Sequence, residues 1–410
     1  MSKKVLKFPK NFLWGASTSA YQIEGGIYCN WSEWEKSEGR KKKLKKKGKK
    51  LEDYVCGQAV DSYNRFDEDL KCIKELNLGG YRMGIEWARI EPSEGNFDMK
   101  AIEYYRKILQ KLKDNNIKVV LTLWHWTNPV WIRDQGGWMN KKTVKDFARY
   151  SELIVKELGS LVDFWVTLNE PMMHFFNGYL IAKFPPAKKA RICQGLRVYK
   201  NLVRAHKEAY KIIHTKNKNA KVSITQIVNY IEPAHKWNPL EWLIAKAYHY
   251  FGNDKFLQDI KKQLDYIGFD YYFHDRMVWY PPFRKNLNKE VNDMGWEVYP
   301  SGIYYVLKYL SKFKLPLYIM ENGLPDEDDD QREEFIKNHL KYIHKAIKDG
   351  IDVKGYFYWS LLDNFEWESG WMPKFGLYKV DRKNNFKRTA QPSSKVYANI
   401  CKNNEVISEM

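Results

Sequence analysis

A (β/α)8 barrel is the fold class this sequence predicts, on three observations. Eight short apolar runs of strand length recur along the chain, and each is followed by apolar residues at helical spacing. Strict alternation of that kind implies a parallel sheet with right-handed crossovers, and eight repeats are the number that closes a barrel. The polar residues that interrupt the pattern stand at the C-terminal ends of the runs, the face on which such barrels place their chemistry. Finally, 410 residues, 44% of them hydrophobic, suffice for one large core, so a single TIM-barrel domain over residues 1–410 with long loops after its strands is expected.

The first strand is expected at FLWGAST (12–18), with Gln22 just past its end. After a long connection Asp61 starts a helix, in which Tyr63, Phe66, Leu70, Ile73 and Leu76 recur at three- and four-residue steps. YRMGIEW (81–87) is the second strand, with Arg82 near its beginning, and Ile102, Tyr105, Ile108 and Leu112 stripe the helix that follows. KVVLTLW (118–124) is the third strand, with His125 at its tip, and Val144, Phe147, Tyr150, Ile154 and Leu158 form the third helix. The fourth strand, Phe164–Leu168, ends in Asn169 and Glu170 and is stopped by Pro171. A helix around Leu196–Ile213 precedes the fifth strand, KVSITQ (221–226), and YIGFDYY (266–272) is the sixth. Helices at Ile303–Phe313 and Phe335–Ile347 flank the seventh, Leu317–Met320, and GYFYWS (355–360) is the eighth, ending at Trp359.

Two strands deliver a glutamate. Leu317–Met320 ends abruptly in Glu321, followed by Asn322 and Gly323, and the fourth strand ends in Asn169 and Glu170. One such residue would merely open a solvated loop. Two of the same design are the minimum equipment for general acid/base work on a sugar acetal. The high aromatic content, 16% with 16 Trp and 28 Tyr, serves core packing and can also supply flat apolar platforms for pyranose faces.

The net charge of +19 invites a nucleic-acid or membrane-surface partner. Nine of the basic side chains, however, stand in RKKKLKKKGKK (40–50), with no zinc-finger spacing or phosphate loop beside them, so the run reads as a mobile, solvated loop and no nucleic-acid partner is expected. Five scattered cysteines without a CxxC pair fit a reduced compartment better than a disulfide framework. MSKKVLKFPKNF lacks an apolar signal core and no stretch is long and apolar enough to span a bilayer, so a soluble cytoplasmic protein with no membrane partner is expected. No metal site or cofactor is suggested, and the oligomeric state is not legible.

With these residues in place the chain resembles family 1 glycoside hydrolases, the β-glucosidase and β-galactosidase group. The resemblance rests on FPKNFLWGASTSAYQIEGG (8–26), YRMGIEWARIEP (81–92), TLWHWTNP (122–129), VTLNEP (166–171), MGWEVYP (294–300), YIMENG (318–323) and WSLLDNFEW (359–367), which span nearly the whole chain in order. It implies a retaining exo-acting β-glycosidase acting on a small oligosaccharide or an aryl or alkyl β-glycoside, with Glu170 as general acid/base and Glu321 as nucleophile. Retention requires the two carboxyl groups roughly 5–5.5 Å apart. Arg82 and Tyr272 are expected to contact the nucleophile and favour its charged form, while Glu170, desolvated and close to a negative Glu321, is expected to be raised. Gln22, His125, Asn169, Glu366 and Trp367 match the hydrogen-bonding shell of the first sugar and Trp359 its stacking floor. Trp296 and the stretch Met277–Phe283 are placed on the leaving-group side, and the charge of Glu366 is expected to repel a 6-phosphate.

Three departures accompany the resemblance. Asp270 stands where most relatives carry Asn, an extra carboxylate that would raise the pKa of its neighbours unless paired. Glu86 replaces a Ser common in bacterial relatives, and Lys374 a usual Arg. The lysine run and the acidic run Asp326–Asp330 would emerge on one face of the barrel and could attract each other; alternatively the acidic run favours the start of the next helix. Glucosidase activity with some galactosidase or fucosidase activity is the leading expectation. A β-mannosidase and a non-catalytic sugar-binding relative are the alternatives.

Overall fold

The computed structural model describes residues 3–409. Eight strands close into a parallel barrel in chain order: β1 (Leu13–Ser17), β2 (Gly80–Gly84), β3 (Lys118–Thr122), β4 (Phe164–Asn169), β5 (Val222–Ile227), β6 (Ile267–Asp270), β7 (Leu317–Asn322) and β8 (Val353–Trp359). Every barrel strand falls on an expected apolar run. The strands are short because a tilted barrel strand crosses the core in four to seven residues.

Helices α1 (Ser62–Glu75), α2 (Met99–Asp114), α3 (Lys142–Leu158), α4 (Ile192–Lys216), α5 (Pro239–His249), α6 (Gly302–Leu310), α7 (Arg332–Lys348) and α8 (Pro392–Asn403) follow the eight strands in turn. In α2 the side chain of Asp98 accepts from the Lys100 and Ala101 N–H groups, and Ile102, Tyr105, Ile108, Leu109 and Leu112 form the buried stripe. Asn238 caps α5 in the same way, with Pro239 at its first position. The helix faces and the outer barrel face share one large apolar cluster. The barrel interior is a separate one, of Val120, Phe164, Val166, Tyr266, Tyr318, Met320 and Phe357 with Leu13 packed against them, so it is filled rather than open.

Three pairings outside the barrel were not expected from the sequence. Lys3–Lys7 pairs antiparallel with Glu405–Glu409 and ties the two ends of the chain together. Tyr230–Pro233 pairs with His274–Met277 in the loops after β5 and β6, and Tyr378–Asp381 with Lys387–Ala390 after β8. Their alternation is too short to stand out from loop sequence.

Most of the lysine run, 40–46, is not a loop. Glu38–Lys46 is a helix capped by Ser37, and within it Arg40 and Leu44, one turn apart, are buried. Arg40 donates to the Glu368 carbonyl at 2.7 Å and lies over the Trp34 ring. Leu44 and the engaged Arg40 dock the segment, and the remaining lysines form its solvated face.

Nor does the run meet the acidic stretch. Asp326 accepts from the N–H groups of Gln331 and Arg332 at the start of α7, while Asp329 pairs with Arg332 and accepts from Ser393. Among the described residues no ion pair joins 40–50 to 326–330, and the acidic stretch stabilises the helix start instead. No helix among the described residues is long and apolar enough to cross a membrane.

Candidate active site

The two glutamates are aimed by local breaks in strand geometry. Regular alternation would put Glu321 on the same face as Ile319, which packs outward against the helices. The β6–β7 register shifts between Ile319 and Glu321, and the β4–β5 register shifts between Val166 and Asn169. Such irregularities re-aim a side chain at a barrel rim, here into the mouth. Glu170 itself lies at φ 39°, ψ 59°, a left-handed conformation that a non-glycine residue holds only when its surroundings over-determine it. Its N–H donates to the Thr225 carbonyl at 2.9 Å, and Pro171 opens the short helix that follows. Gly323 lets the tip of β7 press against that of β8: a Cβ there would lie 1.7 Å from the Trp359 carbonyl oxygen.

Glu170, Asp270 and Glu321, all buried, each bring a carboxylate oxygen within 4.8 Å of those of the other two. That separation suits direct attack on an anomeric carbon by one group and proton delivery by another. The wider gap that admits a water between the carboxylates belongs to inverting chemistry. The three differ in their partners. Arg82, with no exposed surface, forms an ion pair with Glu321 Oε1, and the Tyr272 hydroxyl donates to Glu321 Oε2 at 2.9 Å. Arg82 also donates to Asn169 Oδ1, which takes a second hydrogen bond from Thr225 at 2.6 Å.

Burial raises the pKa of all three carboxyl groups. At Glu321 the Arg82 charge and the bonds from Arg82 and Tyr272 oppose it, yet burial still leaves the group above the ordinary carboxylate value rather than below it, where the ion pair alone would have put it. Glu170 stands well above, through burial first and then the charges of Asp270 and Glu321. Glu321 is therefore the most readily ionised of the three, an order that would suit an acid beside a nucleophile.

This arrangement makes Arg82→Met a sensitive probe. Leaving the buried Glu321 unpaired should cost roughly 3–5 kcal/mol of stability by urea denaturation and move the acidic limb of kcat/KM upward. A variant as stable as the parent, with an unmoved limb, would show that Arg82 does not carry the charge of Glu321.

The polar shell around the carboxylates can be read from its unpaired atoms. Asn169 Oδ1 accepts twice, so its Nδ2 donates to His125 Nε2 at 2.9 Å; His125, held neutral by burial and the Arg82 charge, then carries its proton on Nδ1. Nδ1 has no partner. Gln22 donates through Nε2 to Asn364 and to the Phe365 carbonyl, at 2.9 and 2.8 Å, which leaves its Oε1 as a buried unpaired acceptor. One buried donor and one buried acceptor, both without a protein partner, are what vicinal hydroxyl groups can satisfy.

Trp367 stacks on His125 at 5.6 Å and 22°, and the Trp359 ring lies 6.3 Å from His125. Glu366 accepts from Gln22 and from Trp359; burial, then the Glu321 charge, push it up to about 8. In the free protein at neutral pH it is therefore largely protonated, so the expected simple charge repulsion of a phosphate needs restating: no lysine or arginine pairs with Glu366 among the described residues, and a phosphate there would find no counter-charge.

Trp296 packs at 4.6 Å on Phe273 and 6.3 Å from Tyr272, whose hydroxyl donates to Glu321. In the adjoining stretch Met277 and Val278 are buried and Trp279, Tyr280 and Phe283 exposed; Trp279 packs on Tyr280, and no ring contact among the described residues joins them to the carboxylates. Glu86 does not reach the site. It caps the short helix Trp87–Ile90 through the Ala88 N–H, accepts from Thr127 at 2.9 Å, and is pushed up to about 7 by burial. Lys374 donates to the Trp371 carbonyl, a structural contact.

Thr225, Asn364 and Trp126, whose indole N–H donates to the Asn169 carbonyl, were not singled out from the sequence. Each orients another site residue, and nothing in a single threonine or asparagine advertises that. Asp326, Asp328 and Asp330 also bring oxygens within 4.8 Å of one another, two of them exposed.

A closed parallel barrel with one glutamate directly after β4 and another on β7, their carboxylate oxygens within 4.8 Å, has the layout of a glycoside hydrolase of the retaining class. The chain belongs to glycosyl hydrolase family 1, whose model matches residues 4–260 and 247–406. It is 32% identical to the β-glucosidase A of Thermotoga maritima, over 98% of this chain and 99% of that one. A β-galactosidase of Pyrococcus woesei is 27% identical over 98% of each. Among solved structures it resembles a β-glycosidase from Pyrococcus horikoshii, with a TM-score of 0.88, 35% identity, and 99% and 97% of the two chains covered. The Thermotoga maritima enzyme in complex with glucoimidazole gives a TM-score of 0.89 at 31% identity, covering 97% of this chain and 99% of that one.

Proposed function

We propose that this protein is an exo-acting β-glucosidase, built as one barrel domain, that removes terminal β-D-glycosyl residues by double displacement through a glycosyl ester of Glu321. The observation that carries the reading is the asymmetry of two neighbouring buried carboxylates: Glu321 holds the guanidinium and the tyrosine hydroxyl, and Glu170 neither. Glu321 attacks the anomeric carbon while Glu170 gives its proton to the departing glycosidic oxygen. Esterification removes the Glu321 charge, Glu170 ionises, and it then takes the proton of the water that attacks the ester. Asn169, held by Arg82 and Thr225, is placed for the 2-hydroxyl, a contact that strengthens as the ring flattens.

His125 Nδ1, Gln22, Glu366 and Trp367 grip the remaining hydroxyls, Trp359 forms the floor, and half-buried Trp296 supports an aryl or alkyl leaving group. The proposed partner is a small glycoside, since the buried unpaired donor and acceptor beside the carboxylates suit sugar hydroxyls.

A panel of nitrophenyl β-glycosides tests this reading. The gluco compound should lead, with galacto and fuco turned over more slowly; a manno preference would replace β-glucosidase by β-mannosidase. With no counter-charge at Glu366, kcat/KM for the 6-phosphoglucoside should fall at least about 100-fold below that for the glucoside, since a phosphate dianion buried there loses hydration that no cation of the site replaces. Equal turnover of the two would remove Glu366 from this role.

A further inference from the structure

Asp270, the third carboxylate of the cluster, has no part in either step above. It ends β6 with no exposed surface; with both carboxyl groups ionised neither of its oxygens has a hydrogen-bond partner, and the Glu170 carboxyl lies within hydrogen-bonding reach of it. Donors close by are engaged elsewhere: Thr225 by Asn169, Tyr272 by Glu321, Arg82 by Glu321 and Asn169. The charged and titratable groups around Glu170 and Asp270 are Arg82 from β2, His125 after β3, Tyr272 after β6, Glu321 from β7 and, farther off, Glu366 after β8. With His125 neutral, Arg82 is the single cation in this set. Three carboxylates facing one guanidinium in a buried site cannot all ionise, and Arg82 and Tyr272 favour the anion on Glu321. A proton therefore stays with the other two.

We propose, taking Glu170 as the acid/base, that Asp270 and Glu170 hold one proton between them and that Asp270 is a positioning residue which keeps Glu170 armed as an acid into the alkaline range. Held there, the proton makes a hydrogen bond between the two carboxyl groups, which lie within reach of one another, and gives Asp270 the partner it otherwise lacks. Charge balances through both steps. As the glycosidic C–O bond breaks and the Glu321 ester forms, the shared proton leaves with the departing oxygen. The pair becomes a dianion while Arg82, no longer facing a charged Glu321, faces it instead. In the second step the dianion takes one proton from water as the water oxygen bonds to the anomeric carbon, and Glu321 departs as a carboxylate. Two adjacent negative charges make Glu170 a stronger base at the moment it has to act as one.

The test is the pH dependence of kcat/KM in the parent and in Asp270→Asn, which keeps the shape and removes the charge. The alkaline limb should fall by at least about one pH unit, because coupled carboxyl groups separate their titrations by that much or more, and the acidic limb should move less. Carbon-13 NMR of labelled Glu and Asp carboxyl groups should show Glu170 titrating correspondingly lower in the variant and, in the parent, the two carboxyls titrating together in two steps. A uniform loss of kcat/KM at every pH with an unmoved limb, or independent one-step titrations in the parent, would overturn the proposal. The parent titration decides the matter even if Asp270→Asn does not fold. Glu170→Ala on a dinitrophenyl glycoside, which needs no acid, checks the Glu170 assignment separately: its alkaline limb should vanish whether or not Asp270 shares the proton.

Discussion

Glu321→Ala is expected to lose at least about 10⁴-fold in kcat on every glycoside, whatever the leaving group, because removal of a covalent nucleophile abolishes the route rather than slowing one step of it. Loss of activity alone would not separate a nucleophile from a structural carboxylate. The stereochemistry of rescue does. The side chain removed leaves room on the face of the sugar opposite the leaving group, and azide entering there, with Glu170 still able to protonate the departing oxygen, gives the α-glycosyl azide. Arg82 and Tyr272, which hold the Glu321 oxygens, would hold the azide in the same place. Recovery of turnover with an α product would place the nucleophile at 321. Substantial activity without azide, or a β-azide, would remove Glu321 from the role and with it the double-displacement account.

Most of the barrel was legible because its strands differ so sharply from their surroundings. Runs such as Lys118–Thr122 and Leu317–Asn322 are buried almost throughout, as parallel strands covered on both faces must be, and the helical stripes between them are clean. The glutamates announced themselves for the same reason: a charge at the tip of a mostly apolar run, directly after Met320 or two residues beyond Leu168, has few uses. What the sequence could not convey was how the ends of the strands are turned. The shifts at Ile319–Glu321 and Val166–Asn169 decide where both glutamates point, and they arise from packing between neighbouring strands.

Local balance misled in two places. Counting lysines in 40–50 suggested a free loop, because the contribution of buried Leu44 and Arg40 is invisible until Trp34 and Glu368 are placed beside them. Expecting an ordinary ion pair at Glu321 understated burial, which outweighs Arg82. The departure at Asp270, by contrast, was visible as a residue and uninterpretable as one, since its meaning lies in an oxygen within 4.8 Å of two others.

Glu170→Ala should show a different pattern from the nucleophile variant, and the difference is diagnostic. General acid catalysis contributes about 10²–10⁴-fold, and the need for it grows as the leaving group becomes a poorer one. Alkyl glycosides should therefore lose the full amount in kcat/KM. Dinitrophenyl glycosides, whose phenolate departs unprotonated, should lose little in that ratio. Their kcat still falls, because the glycosyl ester on Glu321 now waits for a water that no base activates, and KM falls with it as the ester accumulates. A burst of phenolate equal to the enzyme present should precede steady turnover. Azide, needing no base, should then raise kcat and give the β-glycosyl azide, the opposite anomer to that formed in Glu321→Ala. Equal losses across the leaving-group series, without a burst, would show that Glu170 supports the shape of the site rather than moving a proton, and the strained backbone at φ 39° would be serving some other end.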